Sequence, residues 1–222
     1  ALFETDFELQ EQFPEIESVA NIVNVRNQND LEKTFSENHP HCVFHAAAYK
    51  HVSLMEQHPS NAVCTNVLGT RNVVEAAVAH KVEKFVLIST DKAVKPSNVM
   101  GATKRLCELV VARQSSEHTQ FGSVRFGNVL GSNGSVIPIF EKQISKGGPV
   151  RVTDPEMTRY FMTIPEAVEL VLQTSAIAES NDVYVLDMGN PVKIIDLARN
   201  MIELSGMVVD EDIKIEIIGA RP

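Results

Sequence analysis

The apolar run Phe85-Val86-Leu87-Ile88 ends abruptly in Ser89-Thr90-Asp91-Lys92. A short, unbroken apolar run suits a strand buried on both faces of a parallel sheet. In open α/β sheets, ligands bind at the carboxyl edge of such strands. A hydroxyl, a carboxylate and an amine are therefore expected side by side at a binding edge. Pro96 then marks a turn, and Asn98 is a suitable N-cap for a helix from Val99 to about Glu117. Met100 and Lys104, four residues apart, share one face of that helix. Thr90, Asp91 and Lys92, with Lys104, read as one reaction centre. The same residues also suit an ordinary helix entry and a solvated lysine, and spacing alone leaves both readings open.

Either side of this stretch, strands alternate with helices. A helix is expected over residues 1–12, with Leu2, Phe3, Phe7 and Leu9 on one face. A strand over Val19 to Val25 follows, then a helix capped by Asn29 or Asp30 and reaching Asn38. Cys42-Val43-Phe44-His45 reads as a buried strand, Pro59 to His80 as a long helix, and Phe121 to Arg125 as a further strand. This alternation predicts an α/β fold with a doubly wound parallel sheet. Beyond Phe126 the pattern shifts to a glycine- and asparagine-rich loop. Helices near 136–146, 165–178 and 194–204 then interleave with strands near 150–153, 183–187 and 213–218. We expect residues 1–126 to belong to the sheet domain. Residues 127–222 would form mainly a smaller lobe, with some segments returning to the sheet. The seam between them is a natural ligand cleft.

A net charge of −9 argues against a nucleic-acid surface. Three cysteines without a CxxC pair suit a reducing compartment, and no apolar run approaches the roughly 18 residues of a membrane span. A cytoplasmic chain is the expectation. Ala46-Ala47-Ala48 leaves room at a strand end for a ring or ribose, or merely relieves crowding. Tyr49-Lys50-His51 puts an amine and an imidazole at the same edge, unless it is a solvated loop. His39, His41, Cys42 and His45 could suggest a metal. Cys42 and His45 should face opposite sides of their strand, however, and we expect none. Arg125, Asn128 and Arg159 remain as polar candidates, the arginines for a diphosphate fork or for plain salt bridges. There is no G-x-G-x-x-G and no Tyr-x-x-x-Lys.

Several stretches carry a family resemblance: FHAAAYKHVSLME, NVLGT, STDKAVKPSNVMGATKR, RFGNVLGSNGSVIPIF and VTDPEMTRYFMTIPEAVELV. In this order they resemble the UDP-N-acetylglucosamine 4,6-dehydratases of bacterial capsule, lipopolysaccharide and glycan synthesis. That group lies within the extended short-chain dehydrogenase/reductase superfamily. The likeness spans nearly the whole chain, and STDKAV…MGATKR is its most specific part. The sequence departs from the pattern at Met100, which stands where the superfamily has its tyrosine, as in the longer, often membrane-anchored members. It departs again at Asn24, where the family usually has Asp. By this resemblance the chain begins inside the helix after the second strand, lacking the Rossmann-like glycine-rich turn, and stops before an expected Gly-Glu-Lys. It is expected to be part of a longer enzyme.

The resemblance implies NAD as cofactor and a UDP-amino-sugar as substrate, in a homo-oligomer whose longer form is held at a membrane. Thr90 would hydrogen-bond the C4 hydroxyl, Lys92 would take the C5 proton, and Asp91 would protonate the departing C6 hydroxyl. Met100 occupies the tyrosine place, and Lys104 would hold the nicotinamide ribose. Asn24, Val25, Ala46, Ala47, Ala48 and Asn66 would contact the cofactor. Lys50, His51 and Asn128 would meet the sugar, with Arg159 and Arg221 on the diphosphate and uridine. Three rivals stay open: a nucleotide-sugar 4-epimerase, an inactive fragment without the cofactor turn, and an ordinary reductase.

Overall fold

Four parallel strands form the frame on which everything else is hung. The structure is a computed structural model that describes residues 2–132, 134–178 and 181–219. In chain order the elements begin with helices α1 (Leu2–Gln12) and α2 (Gln28–Asn38), then strand β1 (Cys42–His45). Helices α3 (Val52–Gln57) and α4 (Pro59–Ala62) run through a π-helical turn at Val63–Leu68 into α5 (Gly69–Ala79). Strand β2 (Lys84–Ile88), a 3₁₀ turn at Asp91–Ala93, helix α6 (Val99–Ala112) and strand β3 (Gln120–Arg125) complete the first half. The second half holds β4 (Asn128–Val129), α7 (Val136–Ile144), β5 (Val150–Val152), β6 (Thr158–Arg159) and β7 (Phe161–Met162). It ends with α8 (Ile164–Ile177), β8 (Asp182–Val185), β9 (Val192–Lys193), α9 (Ile194–Leu204) and β10 (Ile215–Ile217).

The main sheet has the order β1-β2-β3-β8, every pair parallel. Alternation along β2 explains why both faces are apolar. Phe85 and Leu87 point into a core shared with α2, α5 and α6, while Val86 joins Val124, Ala167 and Val171 under α8. Phe85 and Phe121 sit with ring centroids 5.7 Å apart across β2 and β3. A separate core gathers Phe140, Ile144, Val150, Ala198 and Ile202 from α7, β5 and α9, and β10 pairs with β5. The chain thus returns to the main sheet through β8 after building β4 to β7 outside it. No helix among the described residues is long and apolar enough to cross a membrane.

Most expected elements form, with informative exceptions. Val19 to Val25 is not a strand: it makes no ladder among the described residues, and Ile22 is 95% exposed. Its valines pack side-on instead, Val23 and Val25 against the first core. Strand-like composition cannot act without a neighbouring edge to pair with. Helix α2 is capped by Asn27, not by Asn29 or Asp30, with the Asn27 side chain accepting from Asn29 N. Helix α6 stops at Ala112 because Ser116 Oγ accepts from the backbone of His118 and Thr119, closing a local turn that competes with further helix. The apolar face of α1 forms but buries nothing, with Phe3 stacked on Phe7.

His45, the last residue of β1, is 4% exposed, and its Nε2 lies 3.0 Å from Thr70 Oγ1. Burial lowers its pKa from 6.5 to about 4, and the neighbouring Lys104 charge adds to the effect. As pH falls, the unfolded chain therefore takes up this proton before the folded one does. The stability contribution is complete above pH 6.5 and is lost as pH falls toward 4. The loss over that window is about 3 kcal/mol, at roughly 1.4 kcal/mol per unit. Urea midpoints measured across it should show the slope in the native sequence and its removal in His45→Gln; an unchanged slope would assign the effect to another group.

Candidate active site

The carboxyl ends of β1, β2 and β3 open into a cleft of about 390 Å³. Thr90 and Lys92 reach it from the end of β2, and Asn128 from β4. Met100 and Lys104 line it from α6, and Ala46, Ala48, Lys50 and His51 from the segment after β1. Residues distant in sequence therefore meet at one sheet edge. Tyr49, Ser132 and Gly134 also line it, and the sequence reading did not single out Ser135, Val136 or Phe161, which help complete the walls. Small and apolar residues after a glycine-rich loop carry no chemical signature that would have marked them.

The 3₁₀ turn after β2 organises the polar centre. Thr90 caps it and donates through Oγ1 to Asp91 Oδ1 at 2.9 Å. Lys92 Nζ donates to the same Oδ1 at 2.9 Å and to Asn128 Oδ1 at 3.0 Å. Asp91 and Lys92 form an ion pair, their side chains 38% and 27% exposed. One carboxylate oxygen thus gathers the hydroxyl and the ammonium, and Lys92 links the turn after β2 to Asn128 at the start of β4. Asp91 itself lines a second cleft rather than the first.

Helix α6 is pressed against this turn at two points. Asn98 Oδ1 accepts from Gly101 N at 2.8 Å, the cap expected from the sequence. A Cβ on Gly101 would stand 2.3 Å from the Lys92 carbonyl oxygen, so only glycine permits this approach. Lys104 Nζ donates to the Ile88 carbonyl at 2.6 Å. Burial pushes the Lys104 pKa down, partly opposed by Cys107 and Glu108. Met100 is 5% exposed and packs with Met55 and Ala62, so at this position the helix offers an apolar wall and no proton acceptor.

One turn beyond Lys104 lies a network that the sequence reading missed. Glu108 is 1% exposed and accepts from Ser89 Oγ at 2.6 Å, Arg105 at 2.9 Å and both Nε and Nη2 of Arg125. Burial raises the Glu108 pKa, but the hydrogen bonds from Arg125, Ser89 and Arg105 outweigh it and hold the carboxyl below its ordinary value. The fork of Arg125, a candidate for diphosphate, is therefore already filled. The i, i+4 relation of Glu108 to Lys104 was the available signal.

Other expected contacts lie elsewhere. Asn66, on the π turn, is fully buried and braces the loop after β1: its Oδ1 accepts from Tyr49 N and its Nδ2 donates to Tyr49 O and Thr103 Oγ1. It supports the cleft from beneath and has no surface in it. Ala47 is exposed and does not line the cleft. Asn24 Oδ1 accepts from Arg26 N in a local turn, leaving one lone pair free for another donor. Val25 packs over Gly69 and offers its carbonyl to Asn72. Arg159, on β6, donates to the Thr158 carbonyl and is not a wall of the cleft. Arg221 lies outside the described residues. Among the described residues no three His, Cys, Asp or Glu side chains gather as metal ligands.

A parallel sheet with this polar turn at its carboxyl edge has the architecture of the extended short-chain dehydrogenases/reductases. The chain belongs to the family described as polysaccharide biosynthesis protein, whose model matches residues 2–222. Among relatives, it is 58% identical over 209 residues to the capsular polysaccharide biosynthesis protein CapD of Staphylococcus aureus, covering 93% of this chain and 35% of that protein. It is 56% identical over 202 residues to the probable polysaccharide biosynthesis protein EpsC of Bacillus subtilis, covering 90% and 34%. A UDP-glucose 4-epimerase of Rickettsia rickettsii is 43% identical over 168 residues, covering 74% and 49%. The chain thus spans about a third of the length of its two more similar relatives here. Of solved structures, Pen from Bacillus thuringiensis superposes with a TM-score of 0.88 at 39% identity, covering 99% of this chain and 68% of that one. DesIV, a dTDP-glucose 4,6-dehydratase from Streptomyces venezuelae solved with NAD and TYD bound, superposes at 0.84 and 18% identity, covering 96% and 71%, and so supports the fold alone.

Proposed function

We propose that this chain carries the reacting centre of an NAD-dependent nucleotide-sugar 4,6-dehydratase acting on UDP-N-acetylglucosamine in bacterial polysaccharide synthesis. The observation that carries the reading is the Thr90-Asp91-Lys92 cluster on one carboxylate oxygen, anchored to Asn128. Elimination across C5 and C6 needs a base and an acid together. An epimerase, which only removes and returns hydrogen at C4, has no use for that pair.

The residues present suit the nicotinamide end of the cofactor. Ala46 and Ala48 leave the floor of the cleft open, and Lys104 stands beside them with ammonium hydrogens beyond the one given to Ile88. When bound there, NAD supplies the hydride acceptor for C4 and the donor for C6. Thr90 orients the C4 hydroxyl, and the apolar wall of Met100 keeps water from that side. Lys50, His51 and Asn128 line the space for the sugar. Ser135, at the start of α7, has a buried hydroxyl without a partner, and a diphosphate at this helix N-terminus would meet it.

The ion pair also accounts for the protons of the elimination step. Moving one proton from Lys92 to Asp91 gives a neutral amine and a neutral acid. Lys92 then takes the C5 proton, Asp91 gives its proton to the C6 oxygen, the C6–O bond breaks, and a C5–C6 double bond forms as water leaves. Elimination leaves the pair in the charged state seen in the structure, with Lys92 holding the proton that it returns to C5 as hydride reaches C6. The epimerase reading draws on the name of the Rickettsia relative. Incubating the full-length protein with UDP-N-acetylglucosamine and analysing the product by mass spectrometry separates the two. Loss of one water is expected; a product of unchanged mass with C4 inverted would favour the epimerase.

A further inference from the structure

The second cleft lies on the other side of Asp91. It measures about 370 Å³ and opens at the ends of β2, β3 and β8, between Asp91, Val94, Tyr160, Val185 and Met188. Phe126 and Gly127 line both clefts, so a single layer of the β3 end separates them. Asp91 is the polar group at that junction. Its Oδ1 receives Thr90 and Lys92, which line the first cleft, while the residue itself lines the second. Asp91 N also donates to the Phe126 carbonyl at 3.0 Å, fixing the carboxylate at the dividing wall.

We propose that this second cleft is a water port through which the water expelled at Asp91 leaves while the sugar fills the first cleft. The proposal rests on the dehydratase reading. Elimination releases water before hydride returns to C6, so at that stage the substrate mouth must stay closed over a reactive enone. An exit behind the acid that delivers the proton meets this need without opening the mouth. The cleft has room for several waters at about 30 Å³ each, and Asp91 and Asp187 supply acceptors along the path. Gly127 keeps the wall thin: a Cβ there would come within 3.1 Å of Tyr160 and 3.2 Å of Met188 Cε.

The test narrows the port without touching the reacting groups. Val94 and Val185 are 52% and 70% exposed on its rim, so Val94→Trp and Val185→Trp add bulk at two independent places. Full-length protein is turned over in heavy-oxygen water and, separately, in deuterium oxide, and recovered substrate is analysed. C5 deuterium exchange, which needs oxidation at C4 and Lys92 but no departure of water, should stay at the native rate. Product formation and heavy-oxygen entry at C6 of recovered substrate should both fall severalfold, because trapped water re-adds before bulk water replaces it. Val185→Ala should leave both at or above the native level. Native heavy-oxygen entry in both tryptophan variants would overturn the port, as would a fall in C5 exchange in step with product. If the unaltered protein shows neither C5 exchange nor loss of water, the dehydratase reading itself fails, an outcome distinct from native dehydration with an irrelevant port.

Discussion

Lys92→Ala should lower C5 hydrogen exchange about 10²–10⁴-fold, the range typical of a removed general base. The expectation follows from its position. Lys92 Nζ is held between Asp91 and Asn128 and lines the cleft, with no other contact that the fold depends on. Alanine therefore leaves the scaffold intact, and thermal melting should be nearly unchanged. Asp91→Asn should behave differently: loss of water stops, because the amide cannot give a proton to the C6 oxygen, while C5 exchange continues with Lys92 passing its proton to solvent in place of Asp91. Exchange into substrate recovered from deuterium oxide distinguishes the two variants. Fast exchange in Lys92→Ala would assign the base to another group, and His51 would be the next candidate in the cleft.

Reading order explains which parts of this site were legible. Thr90, Asp91, Lys92 and Lys104 are close in sequence or one helical face apart, so strand termination and the i, i+4 rule brought them together without a structure. The cap at Asn98 and the span of α9 were legible for the same reason: each depends on signals within a few residues. Val19 to Val25 failed because a strand is a property of two segments, and its composition says nothing of whether an edge is waiting. Asn66 was assigned to the cofactor through its motif, yet its side chain is consumed by Tyr49 and Thr103, 17 and 37 residues away. The π turn that aims it there has no local sequence signature. Arg125 is the sharpest case. As a type, an arginine at a strand end suits a diphosphate; only the placement of Glu108 beneath it reveals that the fork is occupied.

That buried pairing sets the largest expected loss of stability. Glu108→Ala should destabilise the folded chain by about 3–5 kcal/mol, since removing one partner leaves the others uncompensated. Arg125, with a side chain 14% exposed, would keep its charge against the β3 end, and the Ser89 hydroxyl would lose its acceptor. Arg105 is 42% exposed and can turn to water, so it contributes little to the loss. Against a total of roughly 5–15 kcal/mol for a domain, such a change leaves a chain that unfolds readily. Glu108→Gln retains one acceptor and should lose less, which urea unfolding of both variants would measure. Catalysis should suffer beyond stability, because α6 grips the end of β2 twice, through Lys104 on Ile88 O and Glu108 on Ser89. Loosening the second grip shifts Thr90 and Asp91 relative to Lys104. At a temperature where Glu108→Gln remains folded, kcat should fall with little change in KM. If stability falls by less than about 1 kcal/mol in Glu108→Ala, the arginines have found water, and the carboxylate does not hold the strand ends in register.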